Sequence, residues 1–176
     1  MFSIEKAKKI KVFIMDVDGV LTDGKVIYTK NGEEIKEFCV QDGLGIGLLK
    51  VIGIKTAVIT GRKSEILEKR IKDLKIDILF QGKIKKEEAY EEIKKIFNVN
   101  DENILFIGDD VIDIPVLKKV GISVAVKNAI PEVKKICDYI TKKSGGNGAV
   151  REVINLLLKY RNELDIAIER FINGKH

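Results

Sequence analysis

Paired carboxylates are the first sign of chemistry in this chain. Asp16 and Asp18 stand two apart in Met15-Asp16-Val17-Asp18-Gly19-Val20-Leu21-Thr22. On an extended segment residues i and i+2 face one side, so the two acids are held close together. Like charges raise the proton affinity of one member unless a cation intervenes. A divalent cation would keep Asp16 ionised as a nucleophile while Asp18 stays protonated as a general acid. Paired carboxylates divide roles in this way near neutral pH. Three more groups follow along the chain: Ile59-Thr60-Gly61-Arg62, then Gln81-Gly82 with Lys83, Lys85 and Lys86, then Gly108-Asp109-Asp110 with Asp113. Asp109 adds a hard oxygen donor, and an all-oxygen set favours Mg2+, which shares its coordination with phosphate. Thr60 offers a hydroxyl and a backbone N–H to an anion, and one of the lysines offers a point charge to phosphoryl oxygens. Taken singly, Asp caps helices, Thr ends strands and Gly makes turns. Their joint appearance at strand ends is harder to dismiss.

Composition narrows the alternatives. The single His is His176, the last residue, and the Cys are only Cys39 and Cys137. A terminal His is poorly placed for a fixed catalytic role. Ser-His-Asp, Cys-His and His- or Cys-ligated zinc chemistry are therefore set aside. The two Cys read as small apolar residues of a reducing compartment. The net charge is +5, with Lys usually near Glu, which reads as a solvated surface. No Arg-rich arm or aromatic ribonucleoprotein signature points to nucleic acid. No secretory leader is read in the opening Met1–Ile10 segment, and no apolar run approaches a membrane span. A cytoplasmic protein is expected, with neither nucleic acid nor membrane as partner.

The elements that must position these residues alternate. Short apolar runs at 11–17, 54–60, 76–80, 103–108, 122–126 and 139–140 read as strands. Helical patterns at 42–52, 65–74, 86–97, 112–120 and 131–137 separate them, with Asp42 and Ser64 as caps. The glycines at 43, 45 and 47 weaken the first of these helices and suggest close packing. Asn31-Gly32 marks a hairpin within 22–38. One long helix is expected over about 149–172. Strands alternating with helices imply right-handed βαβ units and a parallel sheet, with ligands bound at the carboxyl ends of the strands. The expected fold is α/β, a Rossmann-like three-layer sandwich with a central parallel sheet and a β-hairpin flap over about 22–38, without a cap domain, within a single domain over 1–176.

The ordered set DxDGxxT, ITGR, a downstream Lys and GDDxxD resembles the haloacid dehalogenase superfamily of phosphotransferases. The further segments DVDGVLTDG, QDGLGI, FQGKIKK, IGDDVIDIPV and SGGNGAVREV resemble the 3-deoxy-D-manno-octulosonate 8-phosphate (KDO 8-phosphate) phosphatases. The resemblance spans roughly residues 8–160. It implies that Asp16 attacks phosphorus and that Asp18 protonates the leaving oxygen, then activates water. It implies Mg2+ on the Asp16 carboxylate, the Asp18 carbonyl and Asp109, with Asp110 and Asp113 in support. Thr60 and a lysine would hold the phosphoryl group; the family's Gln-Gly-x3-Lys spacing places that lysine at Lys86, with Lys83 and Lys85 nearby.

The resemblance also bears on specificity. About 20 residues separate Leu21 from Asp42, too few for a folded cap domain. In the resembling family the hairpins meet in a homotetramer and neighbours help close each site. Gly61, Arg62 and Arg70 are candidates to bind an acidic sugar, since the planar Arg fork matches a carboxylate. Gly146 and Asn147 belong to a segment implicated in closing over a site. The family's Arg-Asp-Gly-Tyr-Gly stands here as Gln41-Asp42-Gly43-Leu44-Gly45. The expected activity is Mg2+-dependent hydrolysis of KDO 8-phosphate, a step in lipopolysaccharide precursor synthesis. The alternatives are a nine-carbon 2-keto-3-deoxy sugar 9-phosphate and a phospho-accepting signalling module. The signalling module would carry its acceptor on strand three and lack the acid at Asp18.

Overall fold

The computed structural model describes residues 2–174; His176 lies outside them. After a short helix α1 (Ile4–Lys9), the first strand β1 (Val12–Met15) is wholly buried. The hairpin strands β2 (Ile27–Tyr28) and β3 (Glu34–Ile35) follow, then α2 (Val40–Ile52) and β4 (Lys55–Ile59). Next come α3 (Glu65–Asp73), β5 (Ile78–Phe80), α4 (Lys86–Phe97) and β6 (Ile104–Gly108). The remainder is α5 (Ile114–Leu117), β7 (Ile122–Ala125), α6 (Pro131–Lys134), β8 (Tyr139–Ile140), α7 (Ala149–Tyr160) and α8 (Leu164–Ile172).

Six strands form one parallel sheet in the order β5-β4-β1-β6-β7-β8, as the alternating pattern requires. β2 and β3 pair apart from it as a two-stranded antiparallel ribbon. The apolar runs of β1 and β6 are buried throughout, as central strands covered on both faces must be. α1, α2, α7 and α8 pack on one another to cover one face, and α4 and α5 pack together on the other. The chain leaves β1 first toward β4 and later returns to its other side as β6. β1 and β6 therefore flank the point where the winding reverses, and a crevice opens there at the carboxyl ends.

The glycines of α2 serve packing, as expected: a Cβ on Gly45 would lie 2.9 Å from the Arg151 side chain, and one on Gly47 2.5 Å from the Phe171 ring. Three expectations need correction. The helix over 149–172 is two helices, broken where Asn162 takes a left-handed backbone (φ 56°). α2 begins at Val40, so Asp42 lies inside its first turn and not at the cap; its carboxylate accepts instead from the Arg151 N–H at 2.7 Å. The helix expected over 112–120 is a 3-10 turn at Val111–Asp113 followed by the four-residue α5. α1 was not anticipated, because its basic residues mask the apolar face carried by Ala7.

Candidate active site

The crevice is built from the loops that follow β1, β4 and β6. Asp16 comes directly after β1, where its N–H still donates to Ile107 O of β6 at 3.0 Å. The loop beyond it is wound tightly: the N–H groups of Gly19 and Gly24 both donate to Thr22 Oγ1, at 3.3 and 3.2 Å. Gly19 has a left-handed backbone (φ 93°), and a Cβ there would lie 2.0 Å from Asp109 Oδ2. Only glycine lets the Asp109 carboxylate come this close to the loop.

Asp109 follows β6. Its N–H and that of Asp110 donate to Asp113 Oδ2 at 2.9 and 3.3 Å. A Cβ on Gly108 would lie 2.5 Å from the same oxygen, so the Gly-Asp-Asp turn closes around a buried Asp113. Asp113 Oδ1 takes the Lys86 ammonium at 2.6 Å, and Asp16 Oδ1 takes it at 2.8 Å. Lys86 opens α4 and its side chain is fully buried, whereas Lys85 is exposed and Lys83 half-buried. Lys86 is thus the lysine of the cluster that reaches Asp16. Asp110 plays a smaller part: it is exposed, and its carboxylate caps the 3-10 turn through the Val111 N–H at 2.7 Å.

Three carboxylates, Asp16, Asp109 and Asp113, bring one oxygen each within 4.8 Å of one another. Burial pushes Asp16 up to about 6; Lys86 opposes this and Asp113 adds to it. Burial, then Asp16, Asp113 and Asp110, push Asp109 up to about 8. Burial would lower Lys86, but Asp16 and Asp113 hold it above the usual lysine range. Such crowding calls for more positive charge than one ammonium supplies. Both Asp113 oxygens are already committed, while Asp109 Oδ1 is buried with no hydrogen-bond partner. An all-oxygen donor set with an orphaned buried carboxylate oxygen fits a hard divalent cation held by Asp16 and Asp109.

Thr60 is buried and follows β4, next to β1, two residues past the Met15–Val58 pair. Its hydroxyl accepts from the Arg62 N–H at 3.4 Å, and its carbonyl from the Lys83 N–H at 2.9 Å. Gly61 packs beneath Ile112 in the same turn. Arg62 lies at the mouth, with Nε 4.0 Å from Asp18 Oδ2. Gly146 and Asn147 also come to this edge: the Gly146 N–H donates to Val20 O at 3.0 Å, and a Cβ on Gly145 would lie 1.8 Å from Gly19 O. This segment is therefore packed against the Asp16–Asp23 loop. Arg70 is not brought to the carboxylates. It stacks 5.5 Å from the Phe38 ring centroid and lines a groove of about 320 Å³ between α2, α3 and α8.

Sequence reasoning missed three residues. Asn128 brackets the site, donating to Gly19 O at 3.0 Å and accepting from the Gly145 N–H at 2.7 Å. Nothing local to Lys127-Asn128-Ala129 signals that role. Glu34 and Lys36 of the hairpin were read only as part of a flap. Their spacing, two apart on an extended segment, was the available signal that both face one way. Lys36 grips Asp18 Oδ1, and Glu34 takes Arg62 Nη2 at 2.8 Å.

Known proteins resemble this chain along most of its length. Residues 76–154 match the haloacid dehalogenase-like hydrolase family. The chain is 46% identical over 164 residues to the 3-deoxy-D-manno-octulosonate 8-phosphate phosphatase KdsC of Escherichia coli K12, covering 93% of this chain and 87% of that one. It superposes with a TM-score of 0.92 on the phosphatase of that name from Moraxella catarrhalis, solved with magnesium, phosphate and KDO. That pair is 44% identical, over 96% of this chain and 97% of the other. The cobalt-bound Haemophilus influenzae phosphatase gives a TM-score of 0.88 at 43% identity, over 92% and 94% of the two chains.

Proposed function

The chain belongs to the haloacid dehalogenase-like hydrolases, in the group of the 3-deoxy-D-manno-octulosonate 8-phosphate phosphatases, and from that premise we propose that it hydrolyses KDO 8-phosphate to KDO and phosphate. The observation that carries the mechanism is Lys86 held between Asp16 and Asp113 beside the orphaned Asp109 oxygen. Asp16, Asp109 and the Asp18 carbonyl would hold Mg2+, which would supply charge neutralisation at the transferring phosphoryl group, the main need of this chemistry.

Asp16 is the nucleophile. Its carboxylate attacks phosphorus, the P–O bond to the sugar breaks, and an aspartyl phosphate forms. Asp18, paired with Lys36 before substrate enters, takes the proton brought in by the phosphate monoester and delivers it to the leaving sugar oxygen, then takes one from the water that cleaves the aspartyl phosphate. Lys86 and Thr60 hold phosphoryl oxygens, and Asp113 fixes the Lys86 ammonium. Asp110 acts at one remove, by shaping the turn that carries Asp109 and Asp113.

Arg62 recognises the acidic sugar, with Gly61, Gly146 and Asn147 at the rim of the same crevice. Arg70 lines a separate groove and would meet substrate across a subunit contact. Such a contact accords with a homotetramer whose exposed hairpin apolar residues, Val26, Ile27 and Ile35, become covered. No helix among the described residues is long and apolar enough to cross a membrane, and a cytoplasmic enzyme acting on a soluble sugar phosphate is the consistent reading.

A phosphate-release screen tests the substrate. KDO 8-phosphate, a nine-carbon 2-keto-3-deoxy sugar 9-phosphate and simple hexose phosphates are compared in Mg2+. The reading requires KDO 8-phosphate to have the highest kcat/KM. Equal values for all would leave the phosphatase chemistry and remove the substrate assignment.

A further inference from the structure

The hairpin is held to the catalytic edge by charge. Glu34 and Lys36 project from one face of β3 and its continuation, as residues two apart on an extended strand do. They complete a closed ring of alternating charges with two residues of the crevice. Asp18 meets Lys36, Lys36 lies 3.5 Å from Glu34, Glu34 takes Arg62 at 2.8 Å, and Arg62 returns to Asp18 at 4.0 Å. The Lys36 side chain is 2% exposed and that of Glu34 16%, so these are not solvated surface pairs.

Glu34 is fixed through both carboxylate oxygens. One carboxylate oxygen accepts from Arg62, and the other accepts from the Ser64 hydroxyl at 2.6 Å. Ser64 is the N-cap of α3, where it also receives the Leu67 N–H. Glu34 is thereby tied to a rigid helix terminus. Burial would raise its proton affinity, but Ser64, Lys36 and Arg62 together hold it below the usual range, so it stays an anion. Its cross-strand partner Tyr28 accepts from the same Arg62 nitrogen at 3.2 Å. One nitrogen of the guanidinium is gripped by a cross-strand pair. The Arg62 side chain is nonetheless 38% exposed, and its Nη1 nitrogen is the part of the fork left open to a ligand.

We infer that Glu34 is a positioning and specificity residue, which pre-aims Arg62 so that its free Nη1 nitrogen meets the carboxylate of an acidic sugar phosphate. The inference rests on the reading of Arg62 as the sugar-binding residue. A free Arg must give up much rotamer freedom to meet a carboxylate, and a fixed one has already done so. The benefit goes to substrates that carry a carboxylate and not to the phosphoryl group, which Lys86 and Thr60 hold.

The test compares KDO 8-phosphate with p-nitrophenyl phosphate, which has no carboxylate, for wild type, Glu34→Gln, Arg62→Ala and the double variant in Mg2+. Glu34→Gln keeps the shape and removes the charge. It should raise KM for KDO 8-phosphate about tenfold, with the loss on KM exceeding that on kcat, and raise KM for p-nitrophenyl phosphate less than threefold. In the Arg62→Ala background it should cost nothing further. Equal KM changes for the two substrates, or additive losses in the double variant, would overturn the role of Glu34. If Arg62→Ala raises KM for KDO 8-phosphate while Glu34→Gln is silent, Glu34 alone is misassigned. If Arg62→Ala leaves that KM unchanged, the assignment of Arg62 falls and that of Glu34 with it.

Discussion

The Lys86 ammonium lies 2.8 Å from the Asp16 carboxylate and 2.6 Å from Asp113, with its side chain fully sealed from solvent. A buried ion pair adds little over an apolar pair of equal volume, but removing one partner leaves an uncompensated charge. Here it would leave several carboxylates facing one another. Lys86→Met should therefore destabilise the metal-free protein by about 3–5 kcal/mol, read from urea unfolding. It should also reduce kcat by at least about a hundredfold, because the charge proposed to hold the phosphoryl group is lost. Unchanged stability would show that Lys86 is not the counter-ion of Asp16.

Stability of the metal-free protein should fall as pH rises. Asp16 is raised from 3.8 to about 6 and Asp109 to about 8, so between pH 4 and 8 the folded state binds more protons than the unfolded one. The sign is then fixed: stability declines across that window and levels above it. For Asp16 alone the cost is about 3 kcal/mol. Thermal unfolding at pH 5 and pH 8.5 measures it. Mg2+ should raise Tm more at pH 8.5, where the carboxylates it binds are already deprotonated. A Tm gain that is larger at pH 5 would contradict this account of the cluster.

Gly145→Ala tests the contact between the C-terminal glycine segment and the motif that carries Asp18. A Cβ at this position would lie 1.8 Å from Gly19 O and 2.8 Å from Thr22 O, both backbone atoms that cannot rotate away. Either the loop after β1 moves or the 144–148 segment lifts. Overpacking of this kind costs about 1–3 kcal/mol, and a small displacement near the chemistry can cost about a hundredfold in rate. The expected result is a kcat loss larger than the stability loss explains. Wild-type kcat would show that the segment does not hold the loop.

Much of this was legible in the sequence because the chemistry sits at strand ends. β1, β4 and β6 are short apolar runs, and each is followed by its polar motif, so the parallel sheet alone brings Asp16, Thr60 and Asp109 to one edge. What was not legible depends on tertiary contacts. Leu157, Leu164, Ile168 and Phe171 keep helical spacing through residues 161–163, yet the helix breaks there. Arg161 turns back to bond Ala7 O at 3.1 Å and Ile10 O at 3.0 Å, and Asn162 adopts the left-handed turn. Asp42 looked like a cap because Asp often is one, but the Arg151 N–H claims it from across the fold. Glu34 and Lys36 looked like any solvated Glu/Lys pair, since no local pattern tells which face of a hairpin turns inward.

The central claim is that Asp16 is the nucleophile of a Mg2+-dependent phosphatase. The direct measurement is phosphate release from saturating KDO 8-phosphate by wild type and Asp16→Asn, with Mg2+ and with chelator. Asn keeps the shape of Asp16 and cannot form the aspartyl phosphate. The account predicts turnover by wild type only with Mg2+, and a fall of about 10⁴-fold or more in Asp16→Asn whose fold is intact by circular dichroism. Release within about tenfold of wild type by Asp16→Asn, or full activity in chelator, would contradict it.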